Sequence, residues 1–304
     1  MNQPRPPGLR ALIEPALGET ASLLDQTLDT LLPEPAGLEA RLIEAMRYAV
    51  IGGGKRLRAF LVLQSGRLFG VDRRALARAA AAVECVHAYS LVHDDLPAMD
   101  DDDMRRGRPS VHRKFDEAAA ILAGDALQAH AFTILAAPET HADPYVRCEL
   151  MARLANAAGA SGMVAGQMID MSVEGKAADV TTITRLQRLK TGALISFACE
   201  AGAIMGKASP PMRHALLGFA QDLGLAFQIA DDLLDVEGDD VIVGKKLGKD
   251  EARGKATFVK ALGVERARSQ AQVLAEQAVR HLDIFDEKAD LLRAAAAWSV
   301  SRKG

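Results

Sequence analysis

Two aspartate runs carry the chemistry this sequence can do. The first is Asp94, Asp95, Asp100, Asp101, Asp102 and Asp103; the second is Asp231, Asp232 and Asp235. In the second run, Gln228, Asp231, Asp232 and Asp235 follow i, i+3, i+4, i+7 spacing, which is one stripe of a helix. Asp231 and Asp235 then lie one turn apart, where like charges repel and weaken a helix. Pro97 falls inside the first run, so that run cannot be one regular helix. A turn there could bring Asp100 back beside Asp94. A single acidic run is more often a solvated face, but two runs, each flanked by apolar helix, call for cations. Oxygen-only donors without His or Cys partners suit Mg²⁺ rather than zinc. Mg²⁺ keeps waters and shares substrate phosphate oxygens. Two facing carboxylate sets therefore point to a diphosphate clamped through several ions.

The basic residues agree. Gly52-Gly53-Gly54-Lys55-Arg56-Leu57-Arg58 places a flexible turn and three cations at a helix start, where backbone N–H groups favour an anion. It is not a P-loop, because the GxxxxGK[ST] spacing is absent. Arg105 and Arg106 follow the first acidic run directly, and arginine suits bidentate phosphate contacts. Lys190-Thr191-Gly192 and Gly244-Lys245-Lys246 add further cations. Each basic group alone is more often a surface feature; the combination carries the reading.

Helices must position these groups. The chain has 304 residues, 49% of them hydrophobic, 25% charged and only 4% aromatic. Alanine, the best helix former, is abundant, and no convincing alternating strand is present. The spacing predicts an all-α, single-domain chain (residues 1–304) with helices near 9–31, 38–51, 55–69, 73–95, 116–136, 144–171, 181–205, 209–235, 258–282 and 287–300. Residues 1–8 read as a Pro-rich tail, and 100–108 and 238–255 as polar loops. The stretch 76–92 is apolar nearly all round, as a central bundle helix is, yet it ends in His93-Asp94-Asp95. A helix C-terminus carries about half a negative charge already, so something cationic belongs there. The net charge of −3 argues against general nucleic-acid binding. Cys85, Cys148 and Cys199 form no CxxC pair and read as small buried residues in a reducing compartment. With no ~20-residue apolar run and no signal-peptide pattern at the start, a cytoplasmic protein without a membrane span is expected.

Several segments together resemble the trans-prenyl diphosphate synthases, and among them the bacterial farnesyl diphosphate synthases (geranyltranstransferases). They are GGGKRLRAFLVL at 52–63, ECVHAYSLVHDDLPAMDDDDMRRGRPSVH at 84–112, LAGDAL at 122–127, KTGAL at 190–194, FQIADDLLD at 227–235 and GKKLGKDEARGKATF at 244–258. The resemblance implies antiparallel helices around a deep central cavity, as a homodimer. It implies that Asp94, Asp95 and Asp100, with Asp231, Asp232 and Asp235, bind three Mg²⁺ bridging an allylic diphosphate. It implies that Lys55, Arg58, His87 and Arg106 hold isopentenyl diphosphate, and that Arg105, Lys190 and Lys245 contact the allylic diphosphate (dimethylallyl or geranyl). Thr191 and Gln228 match polar groups beside the reacting carbons, so the catalytic set is Lys190, Thr191, Gln228, Asp94 and Asp231. Gln167 and Asp170 match a motif that shapes the cavity. His93 and His112 read as structural.

Tyr89 lies five residues before Asp94, ~7.5 Å down the helix axis. In the family a bulky residue here, with Ser90 beside it and a two-residue insertion in the first motif, goes with a C15 product. The alternatives are a C20 (geranylgeranyl) synthase, a terpene cyclase, whose second metal motif DDLLD does not match, and a non-catalytic modulating subunit, which usually loses one aspartate motif. Phe258 departs from the pattern, standing where relatives often have Tyr, and the tail SVSRKG matches only loosely.

Overall fold

The computed structural model describes residues 9–237 and 255–301. Fourteen α-helices run in the order α1 (Leu9–Leu31), α2 (Ala40–Val50), α3 (Leu57–Arg67), α4 (Arg73–Asp94), α5 (Val111–Lys114), α6 (Glu117–Ala136), α7 (Pro144–Ala158), α8 (Met163–Val173), α9 (Val180–Gln187), α10 (Ala193–Met205), α11 (Pro210–Glu237), α12 (Phe258–Leu262), α13 (Val264–His281) and α14 (Asp290–Ser301) among the described residues. Side-chain oxygens start many of them. Asp72, Asp116, Asp143, Asp179 and Thr257 each accept the first free N–H groups of a helix, as N-caps do. α4 packs along α6 and α3; α10 lies against α3, α7 and α11; α11 runs along α13. The main core is built from these helices. A second apolar cluster, including Ile183, Leu225, Ile229, Phe258 and Leu274, joins α9, α11, α12 and α13.

The all-α expectation holds, with local departures. The helix expected over 144–171 breaks between α7 and α8 at Gly159–Gly162, and the one over 258–282 breaks at Gly263, whose φ is +79°. The helix over 181–205 widens into a π-turn at Arg188–Gly192, a rare conformation concentrated at functional sites. The loop at 100–108 contains a two-residue antiparallel pair, β1 (Met104–Arg105) with β2 (Arg108–Pro109). Cys85 and Cys199 are buried, but Cys148 is exposed, because its position on α7 faces outward. Two helices, α4 and α6, pass a length-and-hydropathy criterion for crossing a bilayer although each carries charged residues; their apolar windows are 72% and 44% buried inside the fold.

α4 is also less uniformly apolar than its sequence pattern implied. Glu84, at mid-helix, is 2% exposed. Its carboxylate accepts from Arg56 Nη1 at 3.1 Å and from the Ala59 N–H at 3.2 Å. Arg56 also reaches Asp25 at 2.8 Å and the Val50 carbonyl at 2.6 Å. Arg56 is therefore not one of three cations offered to an anion. It turns inward and fastens the turn before α3 to α4 and α1. Removing one partner of such a buried pair leaves the other uncompensated. Glu84→Ala should cost about 3–5 kcal/mol in a urea titration; a loss under about 1 kcal/mol would show that the pair is not holding the turn.

Candidate active site

The two acidic runs sit near the C-terminal ends of α4 and α11, where the helix dipoles add to their negative charge. After Asp94 the chain doubles back. The Asp100 N–H donates to the Asp94 carbonyl at 2.8 Å, Asp101 N–H to Leu96 at 3.1 Å and Asp102 N–H to Asp95 at 3.2 Å. The turn at Pro97 thus places Asp100 beside Asp94. Lys255 Nζ lies 3.4 Å from Asp100 Oδ2. Three residues later the Phe258 N–H donates to Asp232 at 2.8 Å. Three residues of chain span at most about 11 Å, so the segment 255–258 ties both acidic runs to one end of the bundle.

The paired aspartates differ in their partners. Asp95 is 2% exposed and is gripped by Arg105, whose Nε lies 3.0 Å from Oδ1 and whose Nη2 also bonds it. Burial raises the Asp95 pKa, and Arg105 opposes that rise. Asp232 accepts from Gln228 Nε2 at 3.1 Å as well as from Phe258. Asp94 is different. Burial raises its pKa even though Lys190, Lys255 and Arg105 pull it down. The cations present only partly offset the desolvation of this carboxylate, and an all-oxygen donor set around it fits a hard divalent cation. Asp94 and Asp100 of the first run and Asp231 and Asp235 of the second are the candidate ligands for such a cation. A separate group, Asp101, Asp103 and His112, has ligand atoms within 4.8 Å of one another and could also hold a metal ion, although Arg113 pairs with both carboxylates.

The π-turn supplies the neighbouring polar groups. Lys190 Nζ lies 2.7 Å from Asp170. Burial pulls the Lys190 pKa down, but Asp94 and Asp170 more than reverse this. Thr191 donates its hydroxyl to Gln228 Oε1 at 3.1 Å. The turn fits closely against α8: a Cβ on Gly166 would overlap the Lys190 backbone nitrogen.

On the basic side, Arg106 donates to the Gly53 carbonyl at 3.1 Å. Gly54 has φ +80°, and a Cβ there would come within 2.7 Å of the Arg106 guanidinium carbon. The glycine turn is thus the seat of Arg106. Burial lowers the Arg58 pKa, with Glu84 and Asp231 opposing; Arg58 therefore senses the second acidic run. His87, half-buried on α4, is held well below the usual histidine range by burial and then by Arg58, Arg106 and Arg105. Lys55 Nζ stands 5.4 Å from the centre of the Trp298 ring, so the C-terminal helix α14 reaches the basic turn through a residue just before the loosely matching tail. Tyr89, 6% exposed, meets His93 edge-on at 5.6 Å; its hydroxyl has no hydrogen-bond partner among the described residues. Ser90 Oγ bonds the His87 carbonyl at 2.8 Å. His93 Nε2 lies 3.1 Å from the Ile121 carbonyl, and His112 Nδ1 lies 3.1 Å from Ser110 Oγ. Gln167 is half-buried on α8. Lys245 lies outside the described residues.

Sequence reasoning missed Arg56–Glu84 and Trp298. The signal for the first was a lone acidic residue inside an apolar helix, which demands a buried cation. For Trp298 there was no signal, because its contact with Lys55 joins chain ends 243 positions apart.

The family model for polyprenyl synthetases matches residues 39–294. A farnesyl diphosphate synthase of Escherichia coli is 46% identical over 268 residues, covering 86% of this chain and 89% of the relative. One from Geobacillus stearothermophilus is 41% identical over 287 residues, covering 94% and 95%. Among solved structures, a FPP/GFPP synthase from Zymomonas mobilis superposes with a TM-score of 0.88 at 50% identity, covering 96% of this chain and all of that one.

The neutral His87 has a consequence for acid stability. Below pH ~6.5 the unfolded chain protonates this histidine while the folded protein resists doing so. The unfolded state then binds more protons, and stability falls as pH drops from about 7 toward the depressed folded value. Urea titrations at pH 7 and pH 5 should show a smaller acid loss for His87→Gln than for the wild type. Equal losses would contradict this placement of His87.

Proposed function

The chain belongs to the polyprenyl synthetase family, and on that premise we propose that it is a farnesyl diphosphate synthase, a prenyltransferase that joins isopentenyl diphosphate to dimethylallyl and then geranyl diphosphate and releases diphosphate. The observation that carries this reading is the convergence of two acidic runs and two sets of cations at one end of the helical bundle. Two relatives more than 40% identical over most of the chain carry that same activity in their names.

The residues take the following roles in this reading. Lys55, Arg58, Arg106 and neutral His87 hold the diphosphate of isopentenyl diphosphate beside the glycine turn. Lys190, with Arg105 and Lys245, holds the allylic diphosphate. Asp94, Asp100, Asp231 and Asp235 would hold Mg²⁺, three ions in this reading, which would supply stabilisation of negative charge on a departing diphosphate. The allylic carbon–oxygen bond breaks with its electron pair leaving on the diphosphate. The double bond of isopentenyl diphosphate attacks the resulting cation, and the released diphosphate takes the proton lost in the last step. Thr191 and Gln228 present oxygen dipoles to the cation. The surrounding apolar side chains keep out the water that would quench it. The partly exposed apolar side chains of α6, Ile121 at 44% and Leu122 at 56%, support a homodimer, and a cytoplasmic location accompanies this reading.

Chain length follows from Tyr89. It sits on α4 one to two turns before Asp94, buried and in edge contact with His93, and this reading takes it as the residue that limits how far the product grows. Chromatography of the product made from isopentenyl and dimethylallyl diphosphates should show mainly the C15 diphosphate. Tyr89→Ala should shift most of the product to C20 or longer. Mainly C20 from the wild type, or unchanged C15 from Tyr89→Ala, would overturn the assignment of Tyr89 as the limiting residue.

A further inference from the structure

A short polar chain links the π-turn to the start of α12. Thr191 donates to Gln228 Oε1 at 3.1 Å, Gln228 Nε2 donates to Asp232 Oδ1 at 3.1 Å, and the Phe258 N–H donates to Asp232 Oδ2 at 2.8 Å. The order of donors in this chain is not arbitrary. An amide side chain can present either its oxygen or its NH₂ to a given neighbour, and only its partners decide which. An ionised carboxylate can only accept. Asp232 therefore takes the NH₂ end of Gln228 and forces the amide oxygen to the other side, toward Thr191. The backbone N–H of Phe258 holds the carboxylate itself in place; Asp232 is 2% exposed and lies i+4 from Gln228 on α11. The result is two oxygens, Thr191 Oγ1 and Gln228 Oε1, fixed 3.1 Å apart next to Lys190.

We propose that Asp232 is a positioning residue that acts through Gln228, locking its amide so that oxygen rather than NH₂ stands beside Thr191, and that it is not a metal ligand. This deepens the prenyl-transfer reading and rests on it. A developing allylic cation is stabilised by the oxygen end of a dipole and opposed by an N–H. Amide orientation therefore acts on the ionisation and condensation step rather than on substrate binding. Each Asp232 carboxylate oxygen accepts from a protein donor, Gln228 Nε2 on one side and the Phe258 N–H on the other, the latter a backbone group that the start of α12 cannot withdraw without losing its seat. The neighbouring Asp231 and Asp235 keep the metal role.

Asp232→Asn tests this. It preserves shape and can still accept from Phe258 through its carbonyl oxygen. Its NH₂ then faces Gln228 and drives that amide to turn over, which brings an N–H toward Thr191. The single-turnover rate should fall about 10- to 100-fold. The KM for each substrate and the Mg²⁺ concentration for half-maximal rate should stay within about twofold, a range too small to mark a lost charge-assisted contact. In a Gln228→Met background, adding Asp232→Asn should cost little more, since groups acting as one unit are non-additive. Three results would overturn the proposal: an unchanged rate, fully additive losses, or a rise of tenfold or more in the Mg²⁺ requirement, which would make Asp232 a ligand. If Asp232→Asn fails to fold, NMR of the wild type decides instead. The Gln228 side-chain NH₂ protons should exchange slowly with solvent, and exchange at the rate of an exposed glutamine would contradict the lock. A wild-type protein that joins neither substrate would refute the prenyl-transfer reading itself; a wild type that does so while Asp232→Asn behaves identically refutes only this inference.

Discussion

Negative charge gathered at the ends of two helices is the constraint on which the site depends. α4 and α11 each bring their C-terminal dipole and a run of aspartates to the same end of the bundle. Such an arrangement is costly in isolation, because a buried charge without a partner loses several kcal/mol of solvation (roughly). The protein offsets part of that cost with Arg105 on Asp95, Lys255 on Asp100 and Lys190 close to Asp94. The Asp94 carboxyl is still pushed upward by burial. A bundle that bore this strain for no purpose would be poorly built; one that receives divalent cations with its substrate would be well built.

The surrounding backbone exists to let these groups approach. The π-turn at Arg188–Gly192 sets Lys190 and Thr191 on adjacent positions, one directed to Asp170 and the other to Gln228. The glycine turn before α3 seats Arg106, and the buried Arg56–Glu84 pair fastens that turn to α4. The helix bearing the first acidic run therefore also fixes the basic residues opposite it. Acidic and basic halves of the site share one scaffold, so movement of α4 would disturb both.

Much of this was legible in the sequence because it depended on local spacing. The i, i+4 placement of Asp231 and Asp235 and the turn forced by Pro97 are properties of short segments, and the fold presents both. The π-turn was not legible: its residues have ordinary helical character, and its fit against Gly166 of another helix is a long-range contact. Nor was the inward course of Arg56, whose partners Asp25 and Glu84 lie 31 and 28 positions away. The different partners of Asp95 and Asp232 were hidden for the same reason. Each was itself expected among the metal-binding aspartates, yet each reaches a partner brought by another element or by the turn of its own helix.

The central claim is that the two acidic runs act together, through shared divalent cations, on one diphosphate. Calorimetric titration of inorganic diphosphate into the purified protein, with and without Mg²⁺, tests it directly, comparing the wild type with Asp94→Asn and with Asp231→Asn. The account predicts Mg²⁺-dependent binding in the wild type that weakens at least tenfold when either aspartate is neutralised. Binding that ignores Mg²⁺, or that survives intact when one of the two runs is neutralised, would contradict it.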